Sequence, residues 1–282
     1  MPDLFELAAI ATKFALYLGV MTSVGNIMAT LLFRLERMDG FILLFALLGL
    51  GATILGFMLR GANLTGDLRG MSDPEMLGLL WNTAVGTALL LRLGGLGLVI
   101  LGLFLWRWGI WVSLAGGLIA LWSFDHVGHV SGRDTTLLDA ALTLHLLAVA
   151  LWIGVLSPLK RMAASPETHA AAADLGQRFG VVASFTVPVL IIVGGYMGYQ
   201  LVGSFAALTG TGYGQALIIK ILLVGGLLGL AAGNKMRFIP ALRAGDPAAA
   251  GHLVSAITAE WLLVLVILGT TAVLTSILTL PT

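Results

Sequence analysis

The sequence has no cysteine and little charge: only 10% of its 282 residues are Asp, Glu, Lys or Arg, against about 25% in soluble domains. The missing thiols exclude disulfides, thiolate metal sites and iron–sulfur clusters. Any soft-metal ligand must therefore come from the five histidines or the ten methionines. A net charge of +1 gives no electrostatic basis for nucleic-acid binding. Nothing in the chain resembles an ATP-binding domain or a phosphorylation loop. So few charges also could not cover the surface of a soluble fold of this length.

What is present is apolar sequence, 59% of the chain, in long runs separated by short polar breaks. That is the pattern of membrane-spanning helices. Hydropathy predicts an all-α, polytopic membrane helix bundle of about eight spans, at 8–33, 41–60, 84–105, 109–130, 136–158, 180–202, 213–234 and 253–278. The N-terminus lacks a basic leader region and carries Asp3 and Glu6, so it reads as a retained first helix. Residues 1–282 are expected to form a single membrane domain with no soluble domain. The loops after spans one, three, five and seven hold Arg34, Arg37, Arg107, Lys160, Arg161, Arg178, Lys235, Arg237 and Arg243, while the opposite loops hold Arg60, Arg69 and Arg133. The positive-inside rule then puts both termini outside, in the periplasm of a bacterium.

The two halves, 1–130 and 131–282, read as tandem copies. Span two ends in Gly56-Phe-Met-Leu-Arg60 and span six in Gly195-Tyr-Met-Gly-Tyr199, which aligns Met58 with Met197. Span three contains Val85-Gly-Thr-Ala-Leu-Leu-Leu-Arg92 and span seven Tyr213-Gly-Gln-Ala-Leu-Ile-Ile-Lys220. Four spans per copy make the repeats parallel rather than inverted.

Three histidines converge on one helix pair. His126 and His129, three apart, share a face near the outer end of span four. His145 lies ~15 Å into the antiparallel span five. Imidazole suits copper, zinc or haem iron, although a single interfacial histidine is as readily a solvated residue. His169 and His252 sit at inward loops or helix ends and read as surface residues. Met58 and Met197 can supply soft thioethers or simply fill packing gaps. Asp125 can accept a hydrogen bond from a ligand or lie at the water interface. Trp152, two turns below His145, can wall the site or pack between helices. Arg92 and Lys220 can snorkel outward. Glu260, inside the last span, needs a partner, and serves either an ion or proton pathway or a structural hydrogen bond.

Several of these segments resemble the copper resistance D (CopD) family of bacterial inner-membrane proteins. Leu144-His-Leu-Leu-Ala-Val-Ala-Leu-Trp-Ile-Gly-Val-Leu156 is similar to the family's His-x6-Trp-x-Gly-Gly-Leu segment, with Val155 in place of the second glycine. Val127-Gly-His129 resembles the Gly-His that ends the preceding helix. Arg178-Phe179-Gly180, Tyr213-Gly214 with Lys220, Asn234 with Arg237 and Pro240, and Glu260 followed by Thr270 to Thr275 resemble later landmarks. The likeness runs from about residue 110 to the end. It carries metal roles to His129 and His145; His126 rests on local geometry alone.

The resemblance implies copper handling at the inner membrane, with movement from periplasm to cytoplasm and a periplasmic CopC-like copper-binding partner. The leading reading is a permease that takes copper, as Cu(I) or Cu(II), at His126, His129 and His145, with Met197 or Met58. A second reading is a b-type haem oxidoreductase in which His126 or His129 opposes His145 as axial ligand. A two-haem wire would need another histidine pair near the cytoplasmic face, and His252 has no such partner in the sequence. A third is a copper-binding scaffold that transports nothing.

Overall fold

The computed structural model describes residues 4–128 and 136–280. His129 and Arg133 lie outside the described residues. The described chain is all-α, as lipid demands: in hydrocarbon every backbone N–H and C=O must be satisfied within the segment. The helices are α1 (Leu4–Phe33), α2 (Asp39–Thr65), α3 (Pro74–Trp81), α4 (Ala84–Phe104), α5 (Gly109–Trp122), α6 (Thr136–Ala163), α7 (His169–Val202), α8 (Phe205–Gly210), α9 (Gly212–Gly233), α10 (Ile239–Arg243) and α11 (Pro247–Ser276). Among the described residues, seven helices are long and apolar enough to cross a membrane, namely α1, α2, α4, α6, α7, α9 and α11 with their short extensions.

Sequence and structure differ most at two span boundaries. Hydropathy expects a span over 109–130, whereas α5 is 14 residues long and passes into a 3-10 turn, Ser123–His126. The polar Ser123-Phe-Asp-His run tightens the helix there. The sixth span is expected from 180, but α7 begins at His169. Its first turns are too polar for a hydropathy window. They nevertheless bury Ala172, Ala173, Leu175 and Gly176, and Gly176 lies directly under Ile239 at the start of α10.

α1 is the centre of the bundle. Residues 19–27 are buried without interruption, so the helix is enclosed on all sides at mid-length. It packs on α2, α5, α6 and α11. Its tightest crossing is with α6 at a glycine pair. A Cβ on Gly154 would lie 2.0 Å from the Gly25 carbonyl, and one on Gly25 would lie 1.8 Å from the Ala150 oxygen. Small residues let membrane helices meet backbone to backbone. Asn26 Nδ2 donates to the Gly154 carbonyl (3.4 Å) at the same crossing.

One end of the bundle carries the start of α1 and the end of α11, since Lys13 of α1 donates to the Thr275 carbonyl of α11 (2.5 Å). The other end gathers basic loop residues. There Arg178 donates to the Phe33 carbonyl, Arg37 donates to those of Gly102 and Leu103, and Arg161 faces Glu36 at 3.9 Å.

Three local devices recur in the halves. A short helix precedes α4 (α3) and α9 (α8). Thr83 and Thr211 then cap the long helices, accepting from Val85 N (3.2 Å) and Gly214 N (3.1 Å). Gly86 and Gly214 follow, each so close to the short helix that a Cβ would sit 2.0 Å from the Trp81 oxygen or 2.2 Å from the Leu208 oxygen.

Candidate functional site

The turn that ends α5 and the first half of α6 build the site. Asp125 and His126 occupy the 3-10 turn, and His145 lies on α6. Thr143, two residues before His145, donates through Oγ1 to Asp125 Oδ2 (2.8 Å). That bond ties the two histidine-bearing segments together. The two segments carry three buried polar atoms with no hydrogen-bond partner among the described residues: Asp125 Oδ1, His126 Nδ1 and His145 Nδ1. Buried polar atoms are nearly always paired, because an unmet donor or acceptor costs about 1–3 kcal/mol. A neutral imidazole keeps one ring nitrogen with a free lone pair, so His126 and His145, each with an unmet ring nitrogen, are candidate cation ligands.

The surroundings hold the pieces in place. Trp122 meets the His126 ring edge-on, with centroids 5.1 Å apart. Lys220 of α9 lies within electrostatic range of His145. Arg92 of α4 does not only snorkel. Its Nε donates to Ser123 Oγ (2.9 Å), and its guanidinium lies 4.8 Å from the Phe124 ring centroid, so it braces the same turn.

The methionines stand on different helices. Met197 is half-buried on α7, which packs along α6, while Met58 is half-buried on α2, which packs on α1 and α4. Among the described residues, which exclude His129, no group of three or more His, Asp or Glu is arranged to hold a metal. His252 stacks on Phe238 at 5.6 Å.

Deeper in the bundle lies a second polar group. Glu260 of α11 is 2% exposed, and Asn234 Nδ2 donates to its Oε1 (2.5 Å). Asn234 opens a π-helical turn, Asn234–Phe238, of the kind that often marks functional sites in membrane and soluble helices. Trp152 packs edge-on against Phe179, centroids 5.3 Å apart. Its indole N–H lies near the Glu260 carboxylate without meeting hydrogen-bond geometry.

Sequence reasoning singled out Asp125, His126, His145, Trp152 and Glu260, named Asn234 only as a family landmark, and missed Thr143. A threonine in an apolar helix carries no signal of its own. Asn234 had one, standing at the junction of an apolar span and a basic loop 26 residues before Glu260.

Comparison with known proteins bears on the whole chain. Residues 173–274 match the family "Copper resistance protein D", and residues 1–139 match "Copper resistance protein D-like, N-terminal domain". No curated protein and no solved structure matches. The first of these matches contains α9, α10 and most of α11, the second contains the α5 turn, and the segment around His145 lies between the two. This multi-pass membrane protein belongs to the copper resistance protein D family.

Proposed function

We propose that the protein is a bacterial inner-membrane copper permease that takes copper from the periplasm at His126, His129 and His145 and passes it inward. The observation that carries this reading is the pair of buried, unmet imidazole nitrogens on the two segments that the Asp125–Thr143 bond joins, in a chain of a copper-resistance family. Copper is cargo here, so its ligands must hold it weakly enough to let it go. Met197 and Met58 offer thioethers as successive soft ligands, and a CopC-like periplasmic protein is the donor.

The topology is part of the same proposal. Both termini are periplasmic, which agrees with the basic residues gathered at the opposite end. α5 supplies an eighth crossing: its 14 residues span ~21 Å and its 3-10 turn ~8 Å more, close to the ~30 Å hydrocarbon core. Residues 1–130 and 131–282 are parallel repeats of one membrane domain. The paired short helices, threonine caps and glycines of the two halves support this. So does a shared packing order: α1 on α2, α2 on α4, α4 on α5 and α5 on α1 correspond to α6 on α7, α7 on α9, α9 on α11 and α11 on α6.

The test is metal analysis and a visible spectrum on one detergent-purified sample, followed by copper uptake into proteoliposomes. Bound copper, no haem bands and saturable uptake are expected. A Soret band with reduced α and β peaks would replace the permease with a b-type haem protein; binding without uptake would leave a scaffold.

Two variants probe the parts. Thr143→Val keeps the side-chain shape but removes the donor to Asp125. Copper affinity is expected to fall about tenfold, as for other groups that orient a ligand; titration with a competing chelator reads this, and unchanged affinity would detach Asp125 from the site. Glu260→Gln keeps a hydrogen-bonding side chain beside Asn234 and removes the ionisable group. If Glu260 relays protons during transport, uptake slows and loses its pH dependence while the melting temperature stays near wild type. An unaltered pH profile would confine Glu260 to packing.

A further inference from the structure

A second polar cavity lies at the terminal end of the bundle, and the permease reading does not use it. It encloses about 260 Å3 between α1, α2, α4 and α11. Three cations line it, Lys13, Arg60 and Arg92, together with Thr12, Thr53 and Ser276. No Asp or Glu is among its lining residues. The three cations are half-buried and lie within electrostatic range of one another.

Their hydrogen bonding is incomplete. Lys13 Nζ meets the Thr275 carbonyl, and Tyr17 beside it shares a 3.0 Å hydrogen bond with Thr275 Oγ1. Among the described residues, Arg92 hydrogen-bonds only through Nε, toward Ser123. Arg60 forms no hydrogen bond or ion pair with any described residue. Ser276 Oγ is buried and likewise unmet. Like charges gathered in a low-dielectric setting repel and are costly unless neutralised. Surface lysines can escape that cost by reaching water; here the side chains converge on a half-open cavity instead.

We propose that this cavity is a binding site for a phosphate-type oxyanion. Two guanidinium groups offer the planar, paired donors that suit such oxygens, with an ammonium as a third charge. The volume corresponds to roughly eight or nine water molecules, more room than a halide needs and enough for a tetrahedral oxyanion with its shell. The anion is either a free phosphate or the phosphodiester of a net-anionic lipid head group, which presents the same oxygens without the quaternary ammonium that neutralises phosphatidylcholine. The assignment stands on the cavity alone and not on the copper reading.

The test uses the full chain purified in detergent, followed by its thermal unfolding. Inorganic phosphate is added in one arm, with sodium chloride at matched ionic strength as control. In the other arm the protein is reconstituted in nanodiscs of phosphatidylglycerol or of phosphatidylcholine. A saturated site is expected to raise the melting temperature by about 5 °C. A rise with phosphate identifies a free oxyanion, and a rise with phosphatidylglycerol alone identifies the head group. Arg60→Gln removes a side chain that makes no bond to the described protein, so this variant melts at or above wild type without ligand and gains nothing from it. Lys13→Met is the second variant and loses the gain as well. No rise in either arm, or a rise that both variants retain, overturns the proposal.

Discussion

His145→Ala is expected to lower copper affinity, and copper uptake at limiting copper, about 100-fold. Groups that merely orient a metal ligand already account for 10–100-fold when removed, so losing a ligand belongs at the top of that range. The fold should survive. His145 Nδ1 has no hydrogen-bond partner among the described residues, so the substitution breaks no bond made by that atom, and the Thr143–Asp125 tie remains. The measurement is copper uptake into proteoliposomes, with thermal unfolding of the same preparation as control. His126→Ala should act alike. If the two imidazoles hold one ion, the double variant is little worse than either single one, the non-additivity of groups that share a partner. Uptake unchanged by His145→Ala, with normal melting, would remove the site from the transport path.

The second large effect concerns packing. Gly154→Leu is expected to destabilise the protein by about 3 kcal/mol or more, at or beyond the upper end for overpacked cores. Most overpacking displaces side chains, which can rotate. Here the added Cβ would lie 2.0 Å from a backbone carbonyl of α1, so α1 and α6 must part. Parting them also breaks the Asn26 bond to the Gly154 carbonyl and shifts α6, which carries His145. Gly225 is the contrasting position: nothing lies within 4 Å of a Cβ there, so Gly225→Ala is expected to be neutral or slightly stabilising, as alanine is the better helix former. Thermal unfolding in detergent, with the yield of folded protein, reads both. A Gly154→Leu variant that melts like wild type would mean that α1 and α6 do not cross at this pair.

Gly154 also clarifies the segment that first pointed to the family. In the run from His145 to Leu156 only the histidine stands at the candidate site. Trp152 packs against Phe179, Gly154 admits α1, and Val155 is fully buried. A motif read as one unit therefore divides into a residue for chemistry and residues that set the helix carrying it.

Much of the fold was legible in the sequence because lipid leaves few choices. A long run without charge must be a helix, since no other single segment satisfies its own backbone in hydrocarbon. This determined the all-α class and, among about eight spans expected, the seven long helices with most of their limits. It also singled out His126, His145 and Glu260, since an ionisable residue inside such a run needs an explanation. Hydropathy failed where a helix leaves the lipid, as at the start of α7, and where polar residues tighten a helix end, as at Ser123–His126. What only the tertiary structure decided is which polar groups meet. Thr143 on Asp125, Asn234 on Glu260, and Lys13, Arg60 and Arg92 around one cavity come from segments far apart in the chain. Hydrophobicity drives segments into the membrane but does not select their neighbours there, because lipid is as apolar as the helices. Close backbone contact and unmet polar groups make that selection, and both are properties of the assembled bundle.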